Sequence, residues 1–130
     1  MILNSAHQGP DDPSGLDEHT LRRLLALAGP SDAAELMRRL IADVRGVAEG
    51  MMTGLMSEDR AAMRKHSHVL LAIAGTIGAP RIHGLAAHLN NCAKDIDCTH
   101  ARPQTMELMQ RLDGLIARLH VLAAELGPEV

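Results

Sequence analysis

The 130-residue chain contains no phenylalanine, tyrosine or tryptophan. Its core must therefore be built from leucine, alanine, methionine and smaller numbers of isoleucine and valine. Leucine, alanine and methionine favour helices, whereas strands are usually rich in β-branched and aromatic residues. The absence of aromatic rings also removes the stacking platform that single-stranded nucleic acids and flipped bases need. The composition predicts an all-α fold.

The chain also lacks an excess of positive charge and a long apolar run. Lysine and arginine number 13 against 16 aspartates and glutamates, a net charge of −3, so no broad basic field is present to bind nucleic acid. No apolar run is long enough to cross a membrane. Residues 1–12 lack the charged and apolar regions of a signal peptide. We expect a cytoplasmic protein with no nucleic-acid or membrane partner.

Cysteine is scarce, and metal-ligand spacing is absent. Cys92 and Cys98 are too few for a disulfide framework and do not form a CxxC pair, so we expect free thiols. A structural zinc site wants four convergent ligands. The eight histidines are not spaced to supply them. We expect the chain itself to bind no metal or other cofactor.

Hydrophobic periodicity divides the chain into a tail and one helical domain. Residues 1–15 are rich in turn residues and read as a flexible tail, and residues 16–127 carry five apolar patterns at helical spacing. One pattern is short and four are long; the apolar stripe of the third helix includes Val69 and that of the fifth ends with Leu126. The predicted helix starts are Asp17, Ser31, Ser57, Pro80 and Pro103, and the predicted stops are Gly29, Gly78 and Gly127.

Four amphipathic helices joined by short loops predict an antiparallel up-and-down four-helix bundle, with the short additional N-terminal helix covering one end. We expect a monomer. The second helix nevertheless carries a row of small residues, Ala42, Gly46, Gly50 and Gly54. Glycine inside a helix costs roughly 1 kcal/mol relative to alanine. The row therefore indicates close approach, either of another copy or of a neighbouring helix in the same chain.

Two histidines of the third helix face opposite ways, because positions two apart on a helix are separated by about 200°. His66 lies on or beside the apolar stripe and is expected to be packed. His68 shares its face with Arg64 and Lys65 and with the small residues Ala72 and Gly75. Imidazole is a competent nucleophile near neutral pH, and neighbouring cations stabilise a phosphoryl group. The pattern therefore suits phosphoryl transfer on His68.

The segment from Ala61 to Ala79 resembles the histidine-containing phosphotransfer (HPt) domain of two-component phosphorelays. The family pattern reads roughly A-x-H-x-L-K-G-S-A-x-x-L/I-G-A. With His68 as the phosphorylated residue, Leu70 matches the family's leucine and Ala74 its small core residue. Ile77 and the pair Gly78-Ala79 match the aliphatic residue and the helix end. In helix order the resemblance extends over about residues 16–126.

The resemblance implies a phosphorelay carrier. His68 would accept a phosphoryl group from a receiver-domain aspartate or a histidine kinase and pass it to a response-regulator receiver. The partner receiver would bring the Mg²⁺. The sequence shows no ATP-binding loop. The implied supporting cations are Arg64 and Lys65, and the implied receiver-docking residues are Ala61, Leu71, Ala72 and Gly75.

Three positions depart from the family pattern. The usual lysine, glycine and serine after the histidine are here Leu71, Ala72 and Ile73. The missing lysine is the more consequential change, because that residue helps to hold the phosphoryl group. It leaves open an alternative from another class: a degenerate HPt-like bundle that binds receivers or kinases without being phosphorylated.

Overall fold

The computed structural model describes residues 14–92 and 101–126, and these form five α-helices and no strand. The all-α prediction is thus confirmed for this part of the chain. The predicted tail of residues 1–15 lies outside the described residues except for Ser14 and Gly15. The side chain of Cys92 and the whole of Cys98 also lie outside them. The helices are α1 (Glu18–Ala28), α2 (Pro30–Met56), α3 (Arg60–Ile77), α4 (Pro80–Cys92) and α5 (Ala101–Leu126).

Local capping chemistry sets several boundaries as predicted. Asp17 caps α1 by accepting a hydrogen bond from the His19 amide at 3.1 Å. A second hydrogen bond, from the Thr20 hydroxyl, is the main cause of a lowered pKa at Asp17. Pro80 opens α4, where its missing N–H is of no consequence.

Three predicted helix starts were wrong by at most three residues. Helix α2 begins at Pro30 rather than after Ser31. Helix α3 begins at Arg60, because Asp59 caps it through the Ala62 amide at 3.0 Å. The hydroxyl of Ser57 instead donates to the Thr53 carbonyl at the end of α2. Helix α5 begins at Ala101, before Pro103, since proline is tolerated in a first turn whose N–H groups have no helical partner.

Gly78 ends α3 and contacts the start of α1. It adopts the predicted left-handed conformation, with φ 85° and ψ 53°, which glycine reaches without steric cost. Its carbonyl accepts the Asp17 amide at 2.7 Å. A Cβ at this position would also come within 2.8 Å of the Thr20 Cβ. Glycine is therefore required both by the backbone and by the closeness of α1.

The four longer helices contact one another in a closed ring, α2 to α3, α3 to α4, α4 to α5 and α5 to α2, and α1 packs on α2 and α3. Residue pairs define the direction of α2 against α3. Gly50 faces His66, and one turn further along α2 Gly54 faces Ala62, one turn earlier in α3. The two helices therefore run antiparallel.

The core consists of aliphatic side chains from all five helices. Ser67 is buried among them, and its hydroxyl donates to the Met63 carbonyl at 2.7 Å. Two residues expected in the apolar stripes are exposed instead, Val69 at 43% and Leu126 at 38%. Val69 is one position out of register with the buried stripe of α3, and Leu126 is the last residue of α5. The largest fully buried side chains are Leu21, Met37, Met51, Leu70, Ile77, Ile82, Leu89, Leu108, Leu112, Leu115, Leu119 and Val44.

Within the described residues, no helix combines the length and apolar character needed to cross a bilayer.

Candidate functional site

His68 lies on the exposed face of α3, near the middle of the helix, and Arg64 and Lys65 are exposed beside it. The three side chains line one open surface groove of about 580 Å³, together with Ala61, Val69 and Asn90. The groove therefore collects the predicted phosphoacceptor, both predicted supporting cations and one predicted docking residue.

The buried side of α3 determines where His68 points. Met63, Leu70 and Ile77 are buried and recur at intervals of two helical turns, with Ser67 and Ala74 on the same side. His68 is offset from Ser67 by the 100° that separates consecutive helical residues. The packing of the stripe thus holds the imidazole in solvent, where a partner can reach it.

The other predicted docking residues have different surroundings. Leu71 is half-buried and packs against the core. Ala72 is exposed, but it lines a second groove of about 420 Å³ between α1, α2 and α3. Gly75 is exposed and lies beneath His83 of α4, whose Cδ2 is 3.7 Å from where a Cβ would be. The structure does not gather these three residues with His68 in one groove, although they follow it along the same helix.

Two residues that line the groove were missed. Asn90 comes from α4, and no sequence pattern linked it to α3. Val69 was assigned to the core stripe and instead borders the imidazole. The position of His83 against Gly75 was also missed, because nothing in the sequence specifies how α4 pairs with α3. Only a prediction of how α4 packs against α3 could have identified Asn90 and His83.

The charges around the groove are of one sign. Arg64 and Lys65 form no ion pair with another described residue, and no carboxylate lines the groove. Among residues 14–92 and 101–126, no three histidine, cysteine or acidic side chains are grouped closely enough to hold a metal ion. The groove is therefore suited to an anionic group such as a phosphoryl oxygen.

Comparison with known families, curated proteins and solved structures found no match for the chain.

His66, the other histidine of α3, is half-buried as predicted and packs against Gly50 of α2. A Cβ on Gly50 would overlap the imidazole ring of His66, with Nε2 as the nearest atom. Gly54 is similarly close to Ala62 and Met63 of α3, each at 3.3 Å. These two members of the small-residue row therefore serve packing within the chain. The other two, Ala42 and Gly46, are exposed.

Replacing Gly50 with alanine is expected to destabilise the fold by about 1 kcal/mol, because the imidazole of His66 must leave its site. Alanine at Gly46 is the matched control on the same helix, since nothing lies within 4 Å of that position. That change is expected to stabilise by about 0.5–1 kcal/mol through helix propensity. Chemical denaturation measures both effects.

The effect of Gly50→Ala on stability should change sign when the ring of His66 is absent. In a chain that already carries His66→Ala, the Gly50→Ala change no longer meets the ring and should stabilise as Gly46→Ala does. Equal stabilisation by the two alanine substitutions in the unaltered background would show that His66 does not occupy this space.

Proposed function

We propose that the five helices form an antiparallel up-and-down four-helix bundle with α1 as the short additional N-terminal helix, and that this bundle is a phosphorelay carrier of the HPt type. His68 is the phosphoacceptor, and Arg64 and Lys65 support the phosphoryl group. Its partners are response-regulator receiver domains or a histidine kinase. The closed ring of α2, α3, α4 and α5 supports the architecture.

One observation carries the functional proposal: an exposed mid-helix imidazole shares a carboxylate-free groove with two cations that no described acid neutralises. A histidine that only filled the core would be buried and would not share an exposed groove with two cations. A transferring phosphoryl group carries negative charge on its non-bridging oxygens. Arg64 and Lys65 would stabilise that charge.

In the proposed transfer, the phosphoryl group moves from a receiver aspartate to His68. A neutral ring nitrogen of His68 attacks the phosphorus of an aspartyl phosphate on the receiver. A P–N bond forms, the P–O bond to the aspartate breaks, and the aspartate leaves as a carboxylate. The receiver supplies the Mg²⁺, so that this chain contributes the nucleophile and the positive charge, and positioning accounts for most of the rate.

The test is direct phosphotransfer. The purified protein is mixed with Mg²⁺ and a panel of receiver domains that already carry phosphoaspartate, and acid-labile, base-stable phosphate on this chain is measured. Label is expected with at least one receiver. Binding to a receiver without any label would contradict the carrier function.

Leu71 favours a second function, that of an HPt-like module that binds receivers without being phosphorylated. The side chain at this position is apolar and half-buried against the core, where the resembling family has a lysine. The described chain therefore has no cation one turn after His68 on this side of α3. In a carrier, Arg64, one turn before His68 on the same face, would substitute for the lysine.

Replacing Leu71 with lysine distinguishes the two functions. In a carrier, the new ammonium group should slow hydrolysis of phosphohistidine or speed its formation about tenfold or more, as expected for one charge-assisted hydrogen bond. Leu71→Met is the control for lost packing, since methionine keeps the volume without a charge. A pure binding module would show no phosphorylation with leucine, methionine or lysine at this position.

A further inference from the structure

A long part of this acidic chain carries positive charge and no carboxylate. None of the 16 aspartates and glutamates lies between residues 60 and 92, the segment that forms α3, α4 and the turn between them. The same segment contains Arg60, Arg64, Lys65 and Arg81, as well as four of the eight histidines. The whole chain has a net charge of −3. Its negative charge therefore lies outside α3 and α4, and these two helices carry only positive formal charge.

Much of this positive charge lies on one exposed surface, here called the cationic face. His83 of α4 lies against Gly75, two turns beyond His68 on the same side of α3. The three formal cations of the face form no ion pair with another described residue. The cationic face consists of Arg60, Arg64, Lys65, His68 and His83, all of them exposed.

No carboxylate lines the groove that contains Arg64, Lys65 and His68. Glu58 and Asp59 precede α3, and Asp59 is engaged in capping the helix through the Ala62 amide. Asp43 lines the second groove, beside Ala72, together with Arg39. The positive potential of the cationic face is therefore not cancelled within the groove itself.

We infer that the cationic face docks an acidic surface on a partner protein, whether or not His68 accepts a phosphoryl group. The partner's carboxylates would pair with Arg60, Arg64 and Lys65, which no described acid of the chain itself neutralises. Complementary charge of this kind steers association and selects partners more than it adds affinity. Such a contact is independent of the carrier function, and it requires a partner that presents carboxylates.

The same observations favour a protein over other polyanions. Proteins that bind nucleic acid neutralise many phosphates along a basic surface, whereas this face offers three formal cations on a chain with net negative charge. A membrane-surface helix needs a broad apolar face to bury, and the one large exposed apolar side chain in this groove is Val69. From Arg60 to Gly75 the face is about 22 Å long, which fits a small, transient protein contact.

The test uses the full chain, unphosphorylated, and a fluorescein-labelled peptide of alternating glutamate and alanine as the probe. Fluorescence anisotropy measures binding at low and at physiological ionic strength, and amide chemical shifts map the contact. We expect weak binding that is lost as salt rises, with shifts on α3 and α4. The same peptide with lysine in place of glutamate should not bind.

Charge reversals make the test specific. Arg60→Glu and Lys65→Glu should each weaken peptide binding about threefold or more. Arg23→Glu is the matched control, since Arg23 is exposed on α1, away from the cationic face. Thermal unfolding shows whether each variant is folded. Because the two reversals are separate variants, the test still stands if one of them fails to fold.

Several outcomes would overturn the inference. They are a peptide that does not bind at low ionic strength, shifts that lie outside α3 and α4, and an Arg23→Glu variant that weakens binding as much as Arg60→Glu. Tighter binding of a uridine oligonucleotide, or of phosphatidylserine–phosphatidylcholine vesicles, would replace the protein partner with another class. Because no phosphate is transferred in this assay, its failure is separable from failure of the carrier function.

Discussion

Replacing His68 with glutamine is expected to abolish acid-labile phosphate on the chain under conditions in which the unaltered protein is labelled by a phosphorylated receiver. Glutamine is polar and of similar length, but its amide nitrogen is not a nucleophile. His68 is exposed and makes no described hydrogen bond, so the thermal midpoint should hardly change. Loss of label with an unaltered fold would therefore report on chemistry alone.

Two other histidines provide the controls for this experiment. His66→Gln tests the neighbouring ring, which is half-buried over Gly50. His19→Gln tests an exposed histidine on a different helix, α1. Both variants should still be labelled. Label that persists in His68→Gln, or that disappears only in His66→Gln, would place the reaction on another nitrogen and contradict the alignment with the HPt pattern.

The helices could be predicted from the sequence because their signals are local. Asp17, Gly78 and Pro80 act through hydrogen bonds and backbone angles within a few residues, and all three lie where the pattern placed them. The start of α3 was less predictable because two good caps compete. Ser57 and Asp59 both suit a helix N-terminus, and the structure uses the hydroxyl of Ser57 to end α2 instead.

The candidate site could be predicted only as far as one helix reaches. Helical geometry alone places Arg64, Lys65 and His68 on one exposed face and turns His66 away from it, toward the apolar stripe. Asn90 and His83 join that face because of how α4 packs on α3, which depends on side chains spread over both helices. The role of Gly50 was equally hidden, since its neighbour is a ring on another helix and not a residue near it in the chain.

Replacing Glu18 with alanine is expected to destabilise the fold by about 2 kcal/mol and to lower the thermal midpoint by about 6–10 °C. Glu18 is 7% exposed and accepts hydrogen bonds from the guanidinium of Arg118 on α5. The alanine variant leaves that guanidinium partly buried without its acid. The loss is smaller than for a fully buried pair, because the Arg118 side chain retains 15% exposure and can reach water.

The same pair holds α1 to α5, which gives the prediction a second readout. Arg22 of α1 also bonds Glu125 of α5 at 3.0 Å, and this hydrogen bond is the main cause of the raised pKa of Arg22. These contacts are exposed and screened by salt. Once Glu18 is lost, α1 keeps its packing on α2 and α3 but is held to α5, within the described residues, only by this exposed pair. Amide hydrogen exchange should therefore rise in α1 more than in α3 or α4.

Glu35 supplies the matched control for the Glu18 experiment. It also pairs with an arginine, Arg38, but both side chains are about half exposed. Glu35→Ala should leave the thermal midpoint nearly unchanged. A double change of Glu18 and Arg118 to leucine should recover most of the lost stability, since an apolar pair removes the unpaired charge. If Glu18→Ala shifts the midpoint no more than Glu35→Ala does, the buried pair does not stabilise the contact between α1 and α5.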